Sequence, residues 1–188
     1  MVEQSTIQTI GILLTGVSLT IAAAYYTLTL RNSQKARKTT TLLQLYQSRQ
    51  DPESVRRFWR IMGLTWENYD DYLRKWGPYE NPEGTEELML ITSSWNFFDG
   101  LGKMLREGVV DVDTVYEMFG HRTLMVWFKF ETVIQAIRVE ERGGAGSDYL
   151  MNFEFLANEM IRLKKERGQE LPLFFLHPTS NLQQELKT

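Results

Sequence analysis

The chain has 188 residues, of which 43% are hydrophobic and 12% aromatic, with a formal net charge of -3 at pH 7 and no cysteine. This composition supports a folded core and excludes global disorder, and the lack of cysteine excludes disulfides, thiolate metal sites and a cysteine nucleophile. The charge is divided unevenly, because residues 1–38 carry one acid and four bases whereas residues 39–188 carry 23 acids and 17 bases. Since nucleic-acid binding needs many basic residues, no nucleic-acid partner is predicted.

The first predicted element is an uncharged run of 24 residues, Ile7–Leu30. As a helix it would extend about 36 Å, enough to cross a hydrocarbon layer of about 30 Å with some tilt. A cleavable signal peptide has its basic residues before the apolar run, and a buried core helix seldom stays uncharged for this length. The run therefore predicts a retained transmembrane helix. Its small residues Gly16, Thr20 and Ala24 share one face and permit close packing of two such helices.

A basic cluster follows this run within eight positions, formed by Arg31, Lys35, Arg37 and Lys38. Basic residues beside a membrane span remain on the cytoplasmic side and attract anionic headgroups. Residues 1–38 are therefore predicted to form a tail, a single transmembrane helix and a basic flank, with the N-terminus outside. Membrane lipid is the first predicted partner, and the cell membrane (inner or plasma) is the predicted location.

Helix signals recur through residues 39–168, which are predicted to form a cytoplasmic helical bundle. Asp51-Pro52-Glu53 supplies an N-cap, a proline at the first helical position and an acid in the first turn, and Gly63 ends that helix. The further predicted helices begin at Thr65, Thr85, Val110, His121 and Tyr149, with a loop at 78–85 and a glycine-rich joint at 143–147.

The segment Leu124–Phe130 is apolar nearly all round, which indicates a central and well-buried helix. No alternating strand pattern appears in the sequence. The predicted fold class is therefore all-α, with an N-terminal single transmembrane helix followed by a cytoplasmic helical bundle.

Residues 169–188 differ from the bundle and are predicted to be an apolar and polar C-terminal tail. The stretch LPLFFLHP at 171–178 is apolar and bracketed by prolines, so it is not helical throughout. It could dock on its own bundle, lie at the lipid interface or contact a partner. Docking on the bundle is the interpretation we favour, and the other two stay open.

Several stretches resemble one known family. WNFFDGLGKMLREGVVDVDTVYEMFG at 95–120, Trp127, IQAIR at 134–138 and YLMNFEFLANEM at 149–160 are similar to the family called domain of unknown function 4760. The resemblance implies a helical protein with an N-terminal membrane helix, and it implies no activity. Asp99 is a mild departure, because many relatives would carry glutamate at that position.

Polar residues interrupt the apolar sides of the predicted long helices. Glu154 lies among apolar residues of the last helix, and Arg138 does so on the central one. Because a buried carboxylate is costly unless it is paired, Glu154 is predicted to pair with Arg138 across two antiparallel helices. Asn96 and Asp99 are expected to join from a third helix. We interpret this polar cluster first as a structural ion pair and second as an active pocket.

Familiar catalytic and metal-binding patterns fail in this sequence. Counted from Asp111, a calcium loop would lack its glycine and its final glutamate, and Asp113 is better explained as a helix N-cap. The two histidines, His121 and His177, are far apart, and Ser93-Ser94 has no nucleophile elbow around it. No catalytic residue, metal or cofactor is therefore predicted.

The leading functional hypothesis is a single-pass membrane protein whose cytoplasmic helical domain is an interaction module or an accessory subunit of a membrane complex. Its protein partner would be another protein or a second copy of itself. The alternative is a membrane-anchored enzyme or small-ligand sensor that uses the polar cluster. An enzyme needs a solvent-reachable cleft into which the cluster converges, whereas an interaction module buries the cluster in pairs and exposes apolar surface.

Overall fold

A computed structural model describes residues 2–77, 85–140 and 148–172, apart from the side chains of 2–14, 34, 35, 37–39, 41 and 85. These ranges contain six helices and no strand, which confirms the all-α prediction for the described chain. The helices are α1 (Val2–Gln50), α2 (Pro52–Gly63), α3 (Tyr69–Trp76), α4 (Thr85–Arg106), α5 (Val112–Glu140) and α6 (Met151–Glu166). The chain divides into two compact units, Met1–Leu43 and Gln44–Thr188, so the division falls inside α1.

The described residues of the first unit all lie in helix α1. Every described side chain from 15 to 33 is exposed, and seven of these are large and hydrophobic: Val17, Leu19, Ile21, Tyr25, Tyr26, Leu28 and Leu30. Three threonine hydroxyls, those of Thr20, Thr27 and Thr29, donate to the carbonyl four residues earlier at 2.8–2.9 Å. These bonds satisfy the hydroxyls inside the helix.

No helix in the described part of the chain is both long and apolar enough to cross a membrane. Several predicted features lie partly or wholly outside the described residues. The side chains of residues 7–14, at the start of the predicted span, lie outside the description. In the basic cluster, the side chains of Lys35, Arg37 and Lys38 also lie outside it, whereas Arg31 is described and exposed. The predicted joint at 143–147 and the tail beyond residue 172 also lie outside, as does nearly all of the loop at 78–85.

Local capping explains where α2 and α3 begin. Asp51 accepts hydrogen bonds from two backbone amides in the first turn of α2, each at 3.1 Å, as its sequence position predicts. The helix α3 begins at Tyr69 rather than at Thr65. Its N-cap is Asn68, whose side chain accepts from the backbone of Asp71 at 2.9 Å.

The central helix α5 runs without interruption through Gly120, so the prediction of a new helix starting at His121 is wrong. A Cβ atom at Gly120 would lie 3.2 Å from the Tyr116 ring and 3.3 Å from Met160 Sδ. This glycine therefore makes room for a side chain of α6 instead of ending a helix.

The start of α5 also differs from the prediction. Asp111 rather than Asp113 caps the helix, because its carboxylate accepts from the Thr114 amide at 2.8 Å and from the Thr114 hydroxyl at 2.6 Å. Asp113 lies in the first turn and forms an ion pair with Arg167 at 2.6 Å. The two acids are two residues apart, and sequence spacing alone did not identify which one caps.

The core is built around α5, as its nearly continuous apolar segment predicts. Leu124, Val126, Phe128 and Phe130 are completely buried. The Phe130 ring packs against aromatic rings from two neighbouring segments, stacking on Trp66 at 5.1 Å and meeting Trp95 edge-on at 5.5 Å. Aromatic contacts of this kind add to the stability gained from burial alone.

The helices α4 and α6 lie close together at Gly102. A Cβ atom there would lie 2.0 Å from the Asn152 carbonyl oxygen and 3.2 Å from Leu156 Cβ. Glycine is therefore required at this position, because any side chain would push the two helices apart. Two residues earlier on α4, a Cβ atom at Gly100 would meet nothing within 4 Å.

These two glycines give opposite predictions for substitution by alanine. Gly102→Ala should destabilise the fold by about 1–3 kcal/mol, because the helix contact must open. Gly100→Ala is the matched control and should stabilise by about 0.5–1 kcal/mol, because alanine favours a helix interior. Denaturant unfolding of both variants measures the difference. If both substitutions change the free energy of unfolding in the same direction, the close approach at Gly102 is not as described.

Candidate functional site

The structure places Arg138 and Glu154 in an ion pair between α5 and α6. Arg138 Nη1 lies 2.7 Å from Glu154 Oε2, and Arg138 Nε donates to the Tyr149 carbonyl at 2.8 Å. The arginine side chain is 8% exposed and the glutamate side chain 35%. Arg138 Nη2 is buried and has no hydrogen-bond partner among the described residues. The guanidinium therefore connects α5 to the residues on both sides of the α6 N-terminus.

The carboxylate of Asp99 caps α6 from the neighbouring helix α4. Its Oδ1 accepts from the backbone amides of Asn152 and Phe153, both at 3.0 Å, and its Oδ2 accepts from Asn152 Nδ2 at 3.2 Å. The local N-cap residue, Leu150, has a left-handed backbone with φ of 55° and makes no side-chain cap bond. Asp99 thus replaces the capping group that the α6 sequence lacks.

The predicted polar cluster is therefore divided in the structure. Asp99 forms its hydrogen bonds with the first turn of α6 instead of joining the pair of Arg138 and Glu154. Asn96 is exposed, and no hydrogen bond connects it to the other three in the described structure. The expectation that all four residues converge is therefore wrong. Asp99 instead accepts hydrogen bonds from backbone amides of α6, and these donors are not evident in the sequence.

A double-mutant cycle tests the pair of Arg138 and Glu154. Glu154→Gln and Arg138→Met should each destabilise the protein, and the double variant should lose less than the sum by about 1 kcal/mol or more. The reason is that removing one partner leaves the other charge half-buried and uncompensated. The control is the exposed pair of Glu166 and Arg162 on α6, whose coupling should be much smaller. Additive losses at Arg138 and Glu154 would contradict their coupling.

A separate cavity of about 120 Å³ lies in the second unit. None of the four residues of the predicted cluster lines it. Its lining combines three arginines, three serines and six apolar side chains: Arg49, Arg57 and Arg122; Ser54, Ser93 and Ser94; and Phe58, Ile61, Leu90, Phe97, Phe98 and Phe119.

Aromatic rings and backbone carbonyls hold two of these arginines. The Arg49 guanidinium lies over the Phe97 ring, with 3.8 Å between its carbon and the ring centroid. Arg122 Nη1 donates to the Arg49 carbonyl at 2.9 Å, and its guanidinium lies 5.2 Å from the Phe58 ring centroid. Cation–π contacts fix the plane of a guanidinium without neutralising its charge.

The third arginine, Arg57, is nearer to solvent. Its Nε donates to the Glu53 carbonyl at 3.3 Å and lies 4.0 Å from the Glu53 carboxylate, at the limit of an ion pair. Its Nη2 donates to Ser54 at 3.5 Å. These distances are at the long end of the range for a hydrogen bond or an ion pair.

The electrostatics of the cavity are dominated by positive charge. The pKa of Arg49 lies below its usual value, first because the side chain is partly buried and then because Arg57 and Arg122 repel its charge. Within the described ranges, neither Arg49 nor Arg122 forms a salt bridge. An anion in the cavity would therefore relieve repulsion that the protein leaves uncompensated.

Nothing in the sequence indicates this cavity. The arginines are separated by 8 and 65 residues and come from α1, α2 and α5, so no motif connects them. The sequence around Ser93-Ser94 raises only the question of a nucleophile, which the missing elbow answers in the negative. Both residues instead line the cationic cavity.

Lys129, outside the cavity lining, is the single charged residue within the apolar segment Leu124–Phe130 of α5. Its Nζ donates to the carbonyls of Met62 and Leu64 at the end of α2, at 2.9 and 2.6 Å, and lies 4.9 Å from the Trp66 ring. Burial lowers the pKa of Lys129 to about 8. A cation near the last carbonyls of a helix stabilises its C-terminus. The hydrogen bonds of Lys129 therefore stabilise the end of α2 and connect it to α5.

Metal binding has no candidate in the part of the chain that is described. No three histidine, aspartate or glutamate side chains there lie close enough to hold an ion. The Asp111 carboxylate, which begins the acidic stretch considered for calcium, is engaged by Thr114.

A family model described as Domain of unknown function (DUF4760) matches residues 13–160. The chain belongs to this family. The DUF4760 match confirms the family indicated by the sequence, and it spans the Asp99 cap, the pair of Arg138 and Glu154, and the three cavity arginines. No curated protein and no solved structure matches the chain.

Proposed function

We propose that this DUF4760 protein is a single-pass membrane protein whose helical domain, residues 39–168, serves in the cytoplasm as an interaction module or accessory subunit. The observation that carries the proposal is the exposed apolar surface of α1. The seven large hydrophobic side chains between Val17 and Leu30 are 45–73% exposed. A contiguous apolar surface of this kind requires a covering, and lipid provides one that also suits the chargeless sequence.

Two further features support a lipid environment for residues 7–30. The hydroxyls of Thr20, Thr27 and Thr29 are satisfied by carbonyls of the same helix, so they need no water. The basic residues from Arg31 to Lys38 follow the run directly, which favours a cytoplasmic position for everything after them.

The role as an interaction module is supported by the second unit. Arg138 and Glu154 are paired, and neither lines the cavity, which favours a structural role over an active pocket. Two large side chains, Trp59 on α2 and Met89 on α4, are 56% and 60% exposed. Tryptophan and methionine are enriched at protein interfaces, and tryptophan is frequent among the residues that contribute most to binding.

Membrane attachment can be tested with charges placed in the chargeless run. The double variant Leu19→Lys and Ile21→Lys should lose the wild-type resistance to alkaline carbonate extraction, because each lysine costs about 2.5–3.5 kcal/mol at the centre of a span. The matched control places two lysines at exposed positions later on α1, Gln44 and Gln47, and should remain in the membrane. Release of the wild-type chain by carbonate would contradict the anchor.

Orientation can be tested in the same material, because the chain has no cysteine of its own. A membrane-impermeant maleimide applied to intact cells should label Ser5→Cys and should label Ser48→Cys only after lysis. The opposite pattern would reverse the assignment of the helical domain to the cytoplasm.

The interaction module predicts an assembly larger than one chain. Protein isolated from its native membranes in mild detergent should have a protein mass above the 22.0 kDa of a monomer. Trp59→Glu should reduce that assembly, whereas Arg56→Glu, at an exposed position on the same helix, should leave it unchanged. Recovery of the wild-type chain at monomer mass would contradict the proposed module.

A further inference from the structure

The cavity in the second unit combines three positive charges with no acid in its lining. Arg49, Arg57 and Arg122 all border it, and the other lining side chains are serines or apolar residues. Arg57 has the Glu53 carboxylate 4.0 Å away, whereas Arg49 and Arg122 form no salt bridge within the described residues, so an anion in the cavity would reduce their repulsion. The arrangement is therefore matched to a ligand with more than one negative charge.

Donor geometry favours a tetrahedral oxyanion over a single carboxylate. Each guanidinium carries five N–H donors, and the contacts of Arg49 with Phe97 and of Arg122 with the Arg49 carbonyl occupy few of them. Ser93 also lines the cavity and brings a hydroxyl group, whereas the Ser54 hydroxyl donates to the Ser48 carbonyl at 3.1 Å. A phosphate monoester is dianionic above a pKa of about 6 and offers three acceptor oxygens, which suits three arginines.

The apolar part of the lining indicates what the phosphate carries. Ile61, Leu90 and Phe58 border the same space as the arginines. A single cavity that combines a cationic and an apolar lining suits a small ligand with a charged head and an apolar part. We propose that this cavity binds a small phosphate monoester with an apolar or aromatic substituent. This proposal goes beyond the membrane-anchored module and does not depend on it.

Such a phosphate monoester has two possible sources, a free organic phosphate or the headgroup of phosphatidic acid in a nearby membrane. Both present the same terminal phosphate monoester. Titration with a defined small ester tests the shared chemistry, and a lipid arm of the experiment distinguishes the two sources.

The test is calorimetric titration of the full chain, purified in a nonionic detergent at pH 7.5, with phenyl phosphate as the probe. Arg57→Gln should weaken binding by about tenfold or more, because it removes a charged donor from the cavity. The matched control is Arg56→Gln, which lies one residue away on α2, removes the same charge and is 77% exposed in its side chain. It should change the affinity by less than about twofold, because an exposed charge is well screened.

A second variant and a measurement of helical content distinguish loss of binding from loss of folding. Arg49→Gln should also weaken phenyl phosphate binding, and circular dichroism should show that all three variants keep the helical content of the wild type. Inorganic phosphate should bind more weakly than phenyl phosphate, since it leaves the apolar lining unfilled.

Three results would overturn the proposal. These are no binding of phenyl phosphate by the wild type, equal losses in Arg57→Gln and Arg56→Gln, and equal affinity for inorganic phosphate and phenyl phosphate. In the lipid arm, the chain is placed in nanodiscs with or without phosphatidic acid. Weaker phenyl phosphate binding when phosphatidic acid is present supports the proposal and identifies the headgroup as the source. Unchanged binding supports it with a free ester as the ligand.

Discussion

The start of α6 depends on a capping group that its own sequence does not provide. Leu150 precedes the helix in a left-handed conformation, and Asp99 of α4 accepts the amides of Asn152 and Phe153. The ring of Phe153 is held by the same neighbourhood, because it stacks on Phe98 at 5.3 Å and meets a tryptophan of α5 edge-on. Two consecutive residues of α4 therefore fix both the backbone and the side chain that begin α6.

This constraint explains why the polar residues of the core are arranged as they are. Because Gly102 has no side chain, α4 lies close enough to the α6 backbone for Asp99 to cap it. Arg138 of α5 binds the chain on both sides of the same turn, through the Tyr149 carbonyl and the Glu154 carboxylate. The helices α4, α5 and α6 are thus joined at one end of α6 by hydrogen bonds that burial makes specific. These residues serve the fold, and the cationic cavity at Arg49, Arg57 and Arg122 stands apart from them.

Local signals were predictable from the sequence, and tertiary ones were not. Asp51-Pro52 located the start of α2 because an N-cap acts within its own turn. The predicted helix start at His121 was wrong because the preceding glycine, Gly120, can end a helix or admit a neighbouring side chain, and only the position of Met160 decides between these. Opposite charges on apolar helix faces indicated that Arg138 and Glu154 would meet. The three cavity arginines have no comparable pattern, since their proximity arises only when α1, α2 and α5 pack together.

The central claim, that Asp99 rather than the local sequence starts α6, is tested most directly by amide hydrogen exchange at Asn152 and Phe153. In Asp99→Ala these two amides should exchange much faster than in the wild type, while amides in the middle of α6 keep most of their protection. Asp99→Asn should retain protection, because asparagine also offers a cap oxygen. Unchanged protection of both amides in Asp99→Ala would contradict the account.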